Sequence, residues 1–335
     1  MPKKAFLALF FGLVLAGCGA SASTSKPSLK VAYFEGAVAG PDAVVAANPD
    51  LAAHLAAKIQ LHPIDSGVAG MAQLRAGAFP VVSGVGNPPF VGAIASGTDV
   101  ETVFVESNDQ AGLVVDKSIK SNADLKTVGV LVGSTLDFEF RGWAKTQGVT
   151  AKVASFASEA AEDAAFKAHR IDAVYISQAF LVDLVKHGGR VVVTAPEIAK
   201  LGYAAVNLLA VSRSYAHSHP DLVQQLVCQI SAAQTLLAGP QAAHYITPAS
   251  RYLGVPAADA IAATKGYPYV PRGEETSWLQ GTNGSASGGK LAANLARTGQ
   301  FLVDQGRAAS LPSAALIASH IDPSFWRTAV SGGCK

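Results

Sequence analysis

Residues 59–75, IQLHPIDSGVAGMAQLR, carry the clearest indication of the fold class. The first six predict a strand, and the turn DSG at 65–67 leads into a predicted helix over 68–75. The same order returns at 127–147, where an apolar strand is followed by GST at 133–135 and then by a helix. Repeated strand–turn–helix units are typical of α/β proteins with a mostly parallel sheet.

Strands of this kind fall into two sets along the chain. The first set is predicted at 29–34, 59–64, 81–85, 102–105 and 112–115, and the second at 127–131, 152–156, 173–176, 190–194 and 205–211. Helices are expected between the strands, among them one near 42–58, and strand 205–211 is expected to lead back to the first set. From His219 onward the pattern is mainly helical, with a glycine-rich surface loop at 281–289.

This order predicts a two-lobed molecule. Lobe 1 is expected to contain 29–112 and 212–335 with a helical tail, and lobe 2 is expected to be an insertion at 113–211. Two crossings between lobes create a cleft at the carboxyl ends of strands, where open α/β sheets bind ligands. Hinges are expected near 110–114 and 209–213. Two unrelated domains in series are the alternative.

The composition excludes some classes of protein. The chain has 335 residues, half of them hydrophobic and 15% charged, with a formal net charge of +2. Apart from the start of the chain, no apolar run is long enough to cross a bilayer. Nucleic-acid binding would require a basic stripe or patch, and the sequence shows none. The body is therefore expected to be a soluble α/β protein without a nucleic-acid partner.

The start of the chain carries an export signal. Two lysines precede an apolar stretch, which ends in LAGC at 15–18. This resembles a bacterial lipobox, in which the Cys is acylated and the preceding peptide is removed. We predict a lipoprotein signal peptide at 1–17, lipidation of Cys18, and a flexible tether at 18–28. The protein is then exported and held to a membrane, facing the periplasm or the cell exterior. A cleaved signal with a chance Cys is the alternative.

Two further cysteines, Cys228 and Cys334, lie far apart in the sequence. Cys228 lies in an apolar helical stretch, so a buried free thiol is the favoured interpretation. An exported compartment also permits a disulfide between the two residues. No CxxC or HExxH motif is present, and no metal site is predicted.

Several short motifs occur together in a recognisable order. They are IDSG at 64–67, RAG at 75–77, DLK at 124–126, GST at 133–135, HPDLV at 219–223, RYLGVP at 251–256, QFL at 300–302 and QG at 305–306. With them the chain resembles periplasmic solute-binding proteins for taurine, aliphatic sulfonates and nitrate, and most of all the taurine-binding branch. The resemblance implies a type II-like two-lobed binding fold, no cofactor and no catalysis. It also implies a monomer that delivers a small organic anion to an ABC permease and its ATPase.

The sequence departs from the taurine pattern in the pocket. Asn207 stands where taurine binders carry an Asp for the ammonium of the ligand, and Ser177 stands where they carry a Trp. Asn87-Pro88 replaces a Ser pair at a helix start. Since a neutral Asn cannot pair with an ammonium, anions without an amine are expected to bind at least as well as taurine. Nitrate, a carboxylate or a heterocycle are alternative ligands.

An oxyanion needs hydrogen-bond donors, and helix N-termini supply them. The residues expected to border the ligand are Tyr33, Glu35, Asp65, Ser66, Asn87, Ser134, Thr135, Tyr175, Ser177 and Asn207. Ser134 and Thr135 open a helix after a glycine, and Tyr175 is expected to form an aromatic wall. Ordinary helix caps, a solvated turn at Glu35 and a core position for Tyr175 are the alternatives.

The rival class is an enzyme on the same scaffold. Proteins that make a thiamine pyrimidine precursor have a similar fold, but they need a cysteine-rich iron segment and an intracellular location. The sequence has no such segment and no G-x-S-x-G elbow. We therefore expect a binding protein rather than an enzyme.

Overall fold

The computed structural model describes residues 26–34 and 40–334. Their strands form two five-stranded sheets. The sheet of lobe 1 contains β1 (Ser28–Phe34), β2 (Lys58–Ile64), β3 (Val81–Gly86), β4 (Val100–Asn108) and β10 (Val206–Ser212), in the order β2-β1-β3-β10-β4. The sheet of lobe 2 contains β5 (Ala111–Val115), β6 (Thr127–Leu131), β7 (Lys152–Phe156), β8 (Ala173–Ser177) and β9 (Arg190–Thr194), in the order β7-β6-β8-β5-β9.

The two sheets follow one plan. Strand β1 pairs in parallel with β2 and β3, and β6 pairs in parallel with β7 and β8. Strand β10 is antiparallel to β3 and β4, and β5 is antiparallel to β8 and β9. In each sheet, the strand that is antiparallel to both of its neighbours is the first strand after the chain crosses from the other lobe. The predicted two-lobed α/β fold is confirmed, with mixed sheets.

Helices cover the faces of both sheets. Lobe 2 carries α5 (Thr135–Gln147), α6 (Glu159–Lys167), α7 (Gln178–Lys186) and α8 (Ala195–Lys200). Lobe 1 carries α1 (Pro41–Ala47), α2 (Pro49–Ala52), α3 (Gly67–Arg75), α4 (Asn87–Ala95), α9 (Arg213–Ser218), α10 (Pro220–Leu237), α11 (Ala242–Leu253), α12 (Ala257–Thr264), α13 (Arg272–Leu279), α14 (Lys290–Asp304), α15 (Ala314–Ser319) and α16 (Ser324–Thr328). Within the described part of the chain, no helix is both long and apolar enough to cross a membrane.

One predicted helix is two helices. The sequence pattern extends from 42 to 58, but α1 ends at Ala47 and α2 begins at Pro49. Asn48 between them has an extended backbone (φ −108°, ψ 113°). The residue before a proline is sterically disfavoured in the helical region, which explains the break.

The chain passes between the lobes twice. The first crossing is Asp109-Gln110, between β4 and β5, and the second covers 201–205, between α8 and β10. Strand β10 pairs with β4 from Val206 to Ser212, so the return to lobe 1 is complete well before the predicted boundary at 211. The hinge predicted at 209–213 is wrong, because its first residues are fixed in the middle of the lobe 1 sheet.

Aromatic packing also joins the lobes. Phe138 of α5 lies against Phe301 of α14, with ring centroids 5.3 Å apart, and against Tyr203 in the second crossing, at 5.6 Å. A Cβ atom at Gly142 would lie 2.2 Å from the Tyr203 ring, so glycine is required for this close approach. The second crossing is therefore packed onto lobe 2 through α5.

Cys228 and Cys334 form a disulfide, with their Cα atoms 5.4 Å apart. This corrects the expectation of a free thiol at Cys228. The final turn of the chain folds back beside α10, a proximity that depends on the packing of α16 against that helix. A bond of this kind fits an oxidising compartment.

Candidate functional site

A cleft of about 460 Å³ lies between the two lobes. Its lobe 1 wall includes residues at the ends of β1, β2, β3 and β4 and at the start of β10. Its lobe 2 wall includes residues that follow β6, β7 and β8. Ligands of open α/β sheets bind at this carboxyl edge, so the cleft is the candidate site.

Part of the predicted ligand-binding set lines this cleft. The lining residues from that set are Asp65, Ser66, Ser134, Thr135, Ser177 and Asn207. The fold thus brings together residues that are up to 142 positions apart in the sequence. Contact of any of them with a ligand stays a prediction.

The serines at two helix starts already have partners within the protein. The Ser66 hydroxyl caps α3 by accepting from the backbone N–H of Ala69 at 3.2 Å. The Ser134 hydroxyl donates to the carbonyl of Leu131 at 2.6 Å and accepts from the N–H of Leu136 at 3.1 Å. Ser134 therefore donates its hydroxyl proton within the protein, whereas the Ser66 cap uses only the acceptor side of that hydroxyl and leaves its proton for a ligand.

Two other predicted donors are bound to carboxylates. The Thr135 hydroxyl forms a hydrogen bond with the Asp109 side chain. The backbone N–H of Ser177 donates to Glu159 Oε2 at 2.9 Å. These donors are satisfied by acidic groups of the protein itself, so the predicted oxyanion subsite is weaker than the sequence suggests.

Two predicted aromatic positions are structural. The Tyr33 side chain is buried, and its hydroxyl donates to the carbonyl of Tyr252 at 2.7 Å. Tyr175 is fully buried, and its hydroxyl donates to Glu139 Oε2 at 3.0 Å. Neither residue lines the cleft. Both predictions are corrected, because these side chains point into the cores of their lobes and not past the strand ends.

Asn87 is also structural. Its side-chain amide donates to the Thr298 hydroxyl at 2.8 Å and to Asn294 Oδ1 at 3.1 Å, and its Oδ1 accepts from the N–H of Val206 at 3.4 Å. It therefore ties α4 to α14 and β10 and does not face the cleft. Glu35 and Cys18, two other predicted sites, lie outside the described residues.

Acidic groups form a large part of the cleft wall. Besides Asp65, the lining includes Asp42, Glu106, Asp109 and Glu159. Burial raises the pKa of Asp42 to about 6, and burial together with repulsion from Asp42 raises the pKa of Glu106 to about 8. Burial also raises the pKa of Asp109 and of Glu159. A raised carboxyl pKa indicates a negative charge that lacks sufficient compensation.

Basic groups do not balance these acids. Among the described residues that line the cleft there is no Lys, Arg or His. Arg141 and Arg307 lie near the first turn of α5, but both bind the buried carboxylate of Asp137 at 2.6 Å. Within the described ranges no three His, Cys, Asp or Glu side chains are grouped to hold a metal ion.

Aromatic rings complete the lining. Phe34 and Phe180 contribute from the two lobes, and Tyr267 and Tyr269 come from the segment after α12, with ring centroids 4.7 Å apart. The cleft thus combines carboxyl groups with aromatic surface. This combination suits a small organic molecule with a polar group and an apolar part.

The sequence of this chain is 25% identical to the taurine-binding periplasmic protein of Escherichia coli (strain K12) over 280 residues, which are 80% of this chain and 84% of that protein. The fold is similar to the alkanesulfonate-binding protein SsuA from Xanthomonas axonopodis pv. citri, solved with MOPS bound (TM-score 0.69, 20% identity, 90% of this chain and 99% of that chain).

The chain is thus similar in sequence to a taurine-binding periplasmic protein and in fold to sulfonate-binding proteins. The resemblance seen in its motifs is confirmed. A further structure of similar fold is the nitrate-binding protein NrtA from Synechocystis PCC 6803, with a TM-score of 0.68 and 14% identity over 92% of this chain and 89% of that chain. No family model matches the chain.

The sequence-based prediction does not include the acidic and aromatic residues Glu106, Tyr267 and Tyr269 of this cleft. Glu106 is the one acid within the apolar run 102–106, TVFVE, and a lone acid in a buried strand is the signal that could have found it. Tyr267 and Tyr269 form a YPY segment in a region predicted to be mainly helical tail. Nothing in their local sequence shows that this segment reaches the cleft.

Proposed function

We propose that this chain is the solute receptor of an ABC importer, which captures one small organic molecule in the cleft and presents it to the membrane permease and its ATPase without catalysing a reaction. The observation that carries the proposal is the position of the cleft, between two sheets of the same plan that two chain crossings connect. Such an arrangement permits the lobes to close over a ligand. The periplasmic binding proteins among its relatives support this role.

The receptor is proposed to be exported and held to a membrane by a lipid on Cys18, as a monomer that faces the periplasm or the cell exterior. The LAGC sequence at 15–18 supports the lipid anchor. The disulfide between Cys228 and Cys334 and the periplasmic location of the named relatives support export. Labelling with a fatty-acid analogue is expected to mark the wild type and not the Cys18→Ala variant. Equal labelling of both would contradict the anchor.

The named relatives bind taurine, alkanesulfonates or nitrate, and a taurine-like solute is the ligand that their names suggest for this chain. The expectation that amine-free anions bind at least as well depends on Asn207 alone. Its side chain donates to Ser107 Oγ at 3.1 Å, while Asp42 and Glu106 also face the cleft. Carboxyl groups are therefore present for an amine, which favours a solute with an amine over a plain sulfonate or nitrate.

Native mass spectrometry of protein purified from its own cells tests the receptor role. The wild type is expected to retain one small molecule. Gln178→Trp places a large side chain in the cleft and is expected to lose the molecule. Gln147→Trp, at the exposed end of α5 in the same lobe, serves as the matched control and is expected to keep it. A wild type that retains nothing, or a molecule that Gln178→Trp retains equally, would contradict the proposal.

A further inference from the structure

Five carboxyl side chains line the cleft, and no basic side chain does so among the described residues. They are Asp42, Asp65, Glu106, Asp109 and Glu159. Residues 35–39, EGAVA, contain no basic residue by sequence. None of these side chains compensates the charge of an anion, whereas a cation is attracted by carboxylates and favours the ionised form of the carboxyl groups.

Asp42 provides an independent sign of a missing partner. It is the second residue of α1, and its side chain is only 3% exposed. Its carboxylate interacts with the Ser83 hydroxyl and with the backbone N–H of Ala43, but its Oδ2 atom is buried without a hydrogen-bond partner among the described residues. A buried carboxylate oxygen is costly unless a donor meets it. Because Asp42 lines the cleft, a ligand is in position to supply that donor.

Glu106 lies beside an aromatic ring. Its Oε1 accepts from the Ser83 hydroxyl at 2.8 Å. A Cβ atom placed on Gly84 would lie 3.8 Å from Glu106 Oε2 and 3.4 Å from the Phe34 ring, so the carboxylate and the ring border the same small space. Gly84 has a φ of +74°, which favours glycine and keeps this space free of a side chain. A carboxylate beside an aromatic ring attracts an ammonium by charge and by the cation–π effect.

We propose that the ligand is a small organic cation, an amine or amidine of net positive charge, whose cationic group lies between Asp42, Glu106 and the Phe34 ring. Its apolar part lies along Tyr267 and Tyr269. This inference rests on the proposed function, because it names the class of solute that the receptor takes. It separates this chain from relatives named for anionic or zwitterionic solutes.

Proton release supports the assignment. Burial raises the pKa of Glu106 to about 8 and that of Asp42 to about 6, so Glu106 is largely protonated at neutral pH in the free protein. A cation in contact with both groups stabilises their ionised forms. Binding is therefore expected to release protons at pH 7, which calorimetry in buffers of different ionisation enthalpy measures.

A fractionated extract of the producing cells tests the class of the ligand. Its small molecules are passed over a chelating resin to remove metal ions and then separated into cationic, anionic and unretained fractions by ion exchange at pH 7. The cationic fraction is expected to give the largest rise in the melting temperature of the wild-type protein. Glu106→Gln and Asp42→Asn are expected to bind at least about tenfold more weakly, because each loses a charge-assisted hydrogen bond.

The control is Glu101→Gln, which changes an acid on the same strand, β4, outside the cleft. It is expected to respond as the wild type does, and the melting temperatures of the free variants show whether each one folds. A response to the anionic or unretained fraction alone would overturn the inference and leave the proposed function standing. No response to any fraction would contradict both. Equal responses of wild type, Glu106→Gln and Asp42→Asn would overturn the inference.

Discussion

Arg307 of lobe 1 and Asp137 of lobe 2 form an ion pair between the lobes, with 2.6 Å between Nη1 and Oδ2. The Asp137 side chain is completely buried, and its carboxylate also accepts from Arg141 Nε at 2.6 Å and from the N–H of Gly133 at 3.0 Å. This group links the segment after α14 to the first turn of α5, which borders the cleft. The lobes are thus connected by a buried charge as well as by the two crossings.

Arg307→Met is expected to lower the free energy of unfolding by about 1–3 kcal/mol, because Asp137 loses one of its charge-assisted hydrogen bonds. Lys145→Met is the matched control, since Lys145 and Asp304 also pair between the lobes but are 3.8 Å apart and exposed. It is expected to cost less than about 1 kcal/mol. Urea unfolding measures both. Equal losses of unfolding free energy in the two variants would contradict the expectation that the buried ion pair contributes more than the exposed one.

Taurine is expected to bind more tightly than ethanesulfonate, by at least about tenfold, because only taurine carries an amine for the cleft carboxylates. The difference is expected to shrink in Glu106→Gln, which removes one of the carboxyl groups that an amine can ionise and bind. Isothermal titration calorimetry of both compounds against both proteins measures this. Tighter binding of ethanesulfonate would contradict this prediction. It would support the expectation, based on Asn207 alone, that anions without an amine bind at least as well as taurine.

The stability of the free protein is expected to depend on pH through Glu106. The folded state raises the pKa of this carboxyl from 4.5 to about 8, through burial first and then repulsion from Asp42, although the Ser83 hydroxyl opposes the shift. The folded protein therefore binds more protons than the unfolded chain between these values, and the contribution of Glu106 to stability falls as pH rises from about 4.5 to 8. Burial, and then repulsion from Glu106, also raise the pKa of Glu275.

Glu106→Gln is consequently expected to be more stable than the wild type at pH 8, with a difference that shrinks as the pH is lowered towards 5. Guanidinium unfolding at a series of pH values measures the difference. A constant difference over this range would mean that the Glu106 carboxyl keeps an ordinary pKa in the folded protein.

Loss of the disulfide is expected to destabilise lobe 1. Cys228 and Cys334 are 106 residues apart, and a loop of this length corresponds to about 4–5 kcal/mol of chain entropy, with about 2–5 kcal/mol typical when a native disulfide is removed. The Cys334→Ser variant and reduced wild type are expected to unfold at similar, lower denaturant concentrations than the oxidised wild type. Unchanged stability after complete reduction would contradict this.

The sequence predicts most of the sheet strands because they are apolar runs bounded by turns. Strands β6 and β7 have their predicted bounds, and so does β9. The position of the cleft also follows, since carboxyl strand ends meet at one edge of a sheet. The local sequence pattern does not show how far a strand continues. Strand β4, for example, is longer at both ends than the predicted strand 102–105.

The chemistry of the cleft is less accessible from the sequence. The sequence does not show which face of β8 is covered by helices. It therefore cannot decide whether Tyr175 faces the core or the cleft. Asp42 lies on α1 and Glu106 on β4, far apart in the sequence, and only the assembled fold of lobe 1 brings them together. The partner of Cys228 depends on the path of the helical tail, which no local motif determines.

Small-angle X-ray scattering tests the central claim, that the two lobes form a receptor that closes over a solute in the cleft. The wild type is measured free and saturated with the molecule that it retains from its own cells. We predict a smaller radius of gyration for the loaded protein, and no change when the same molecule is added to Gln178→Trp. A wild type that binds the molecule and keeps the radius of gyration of the free protein would contradict the account.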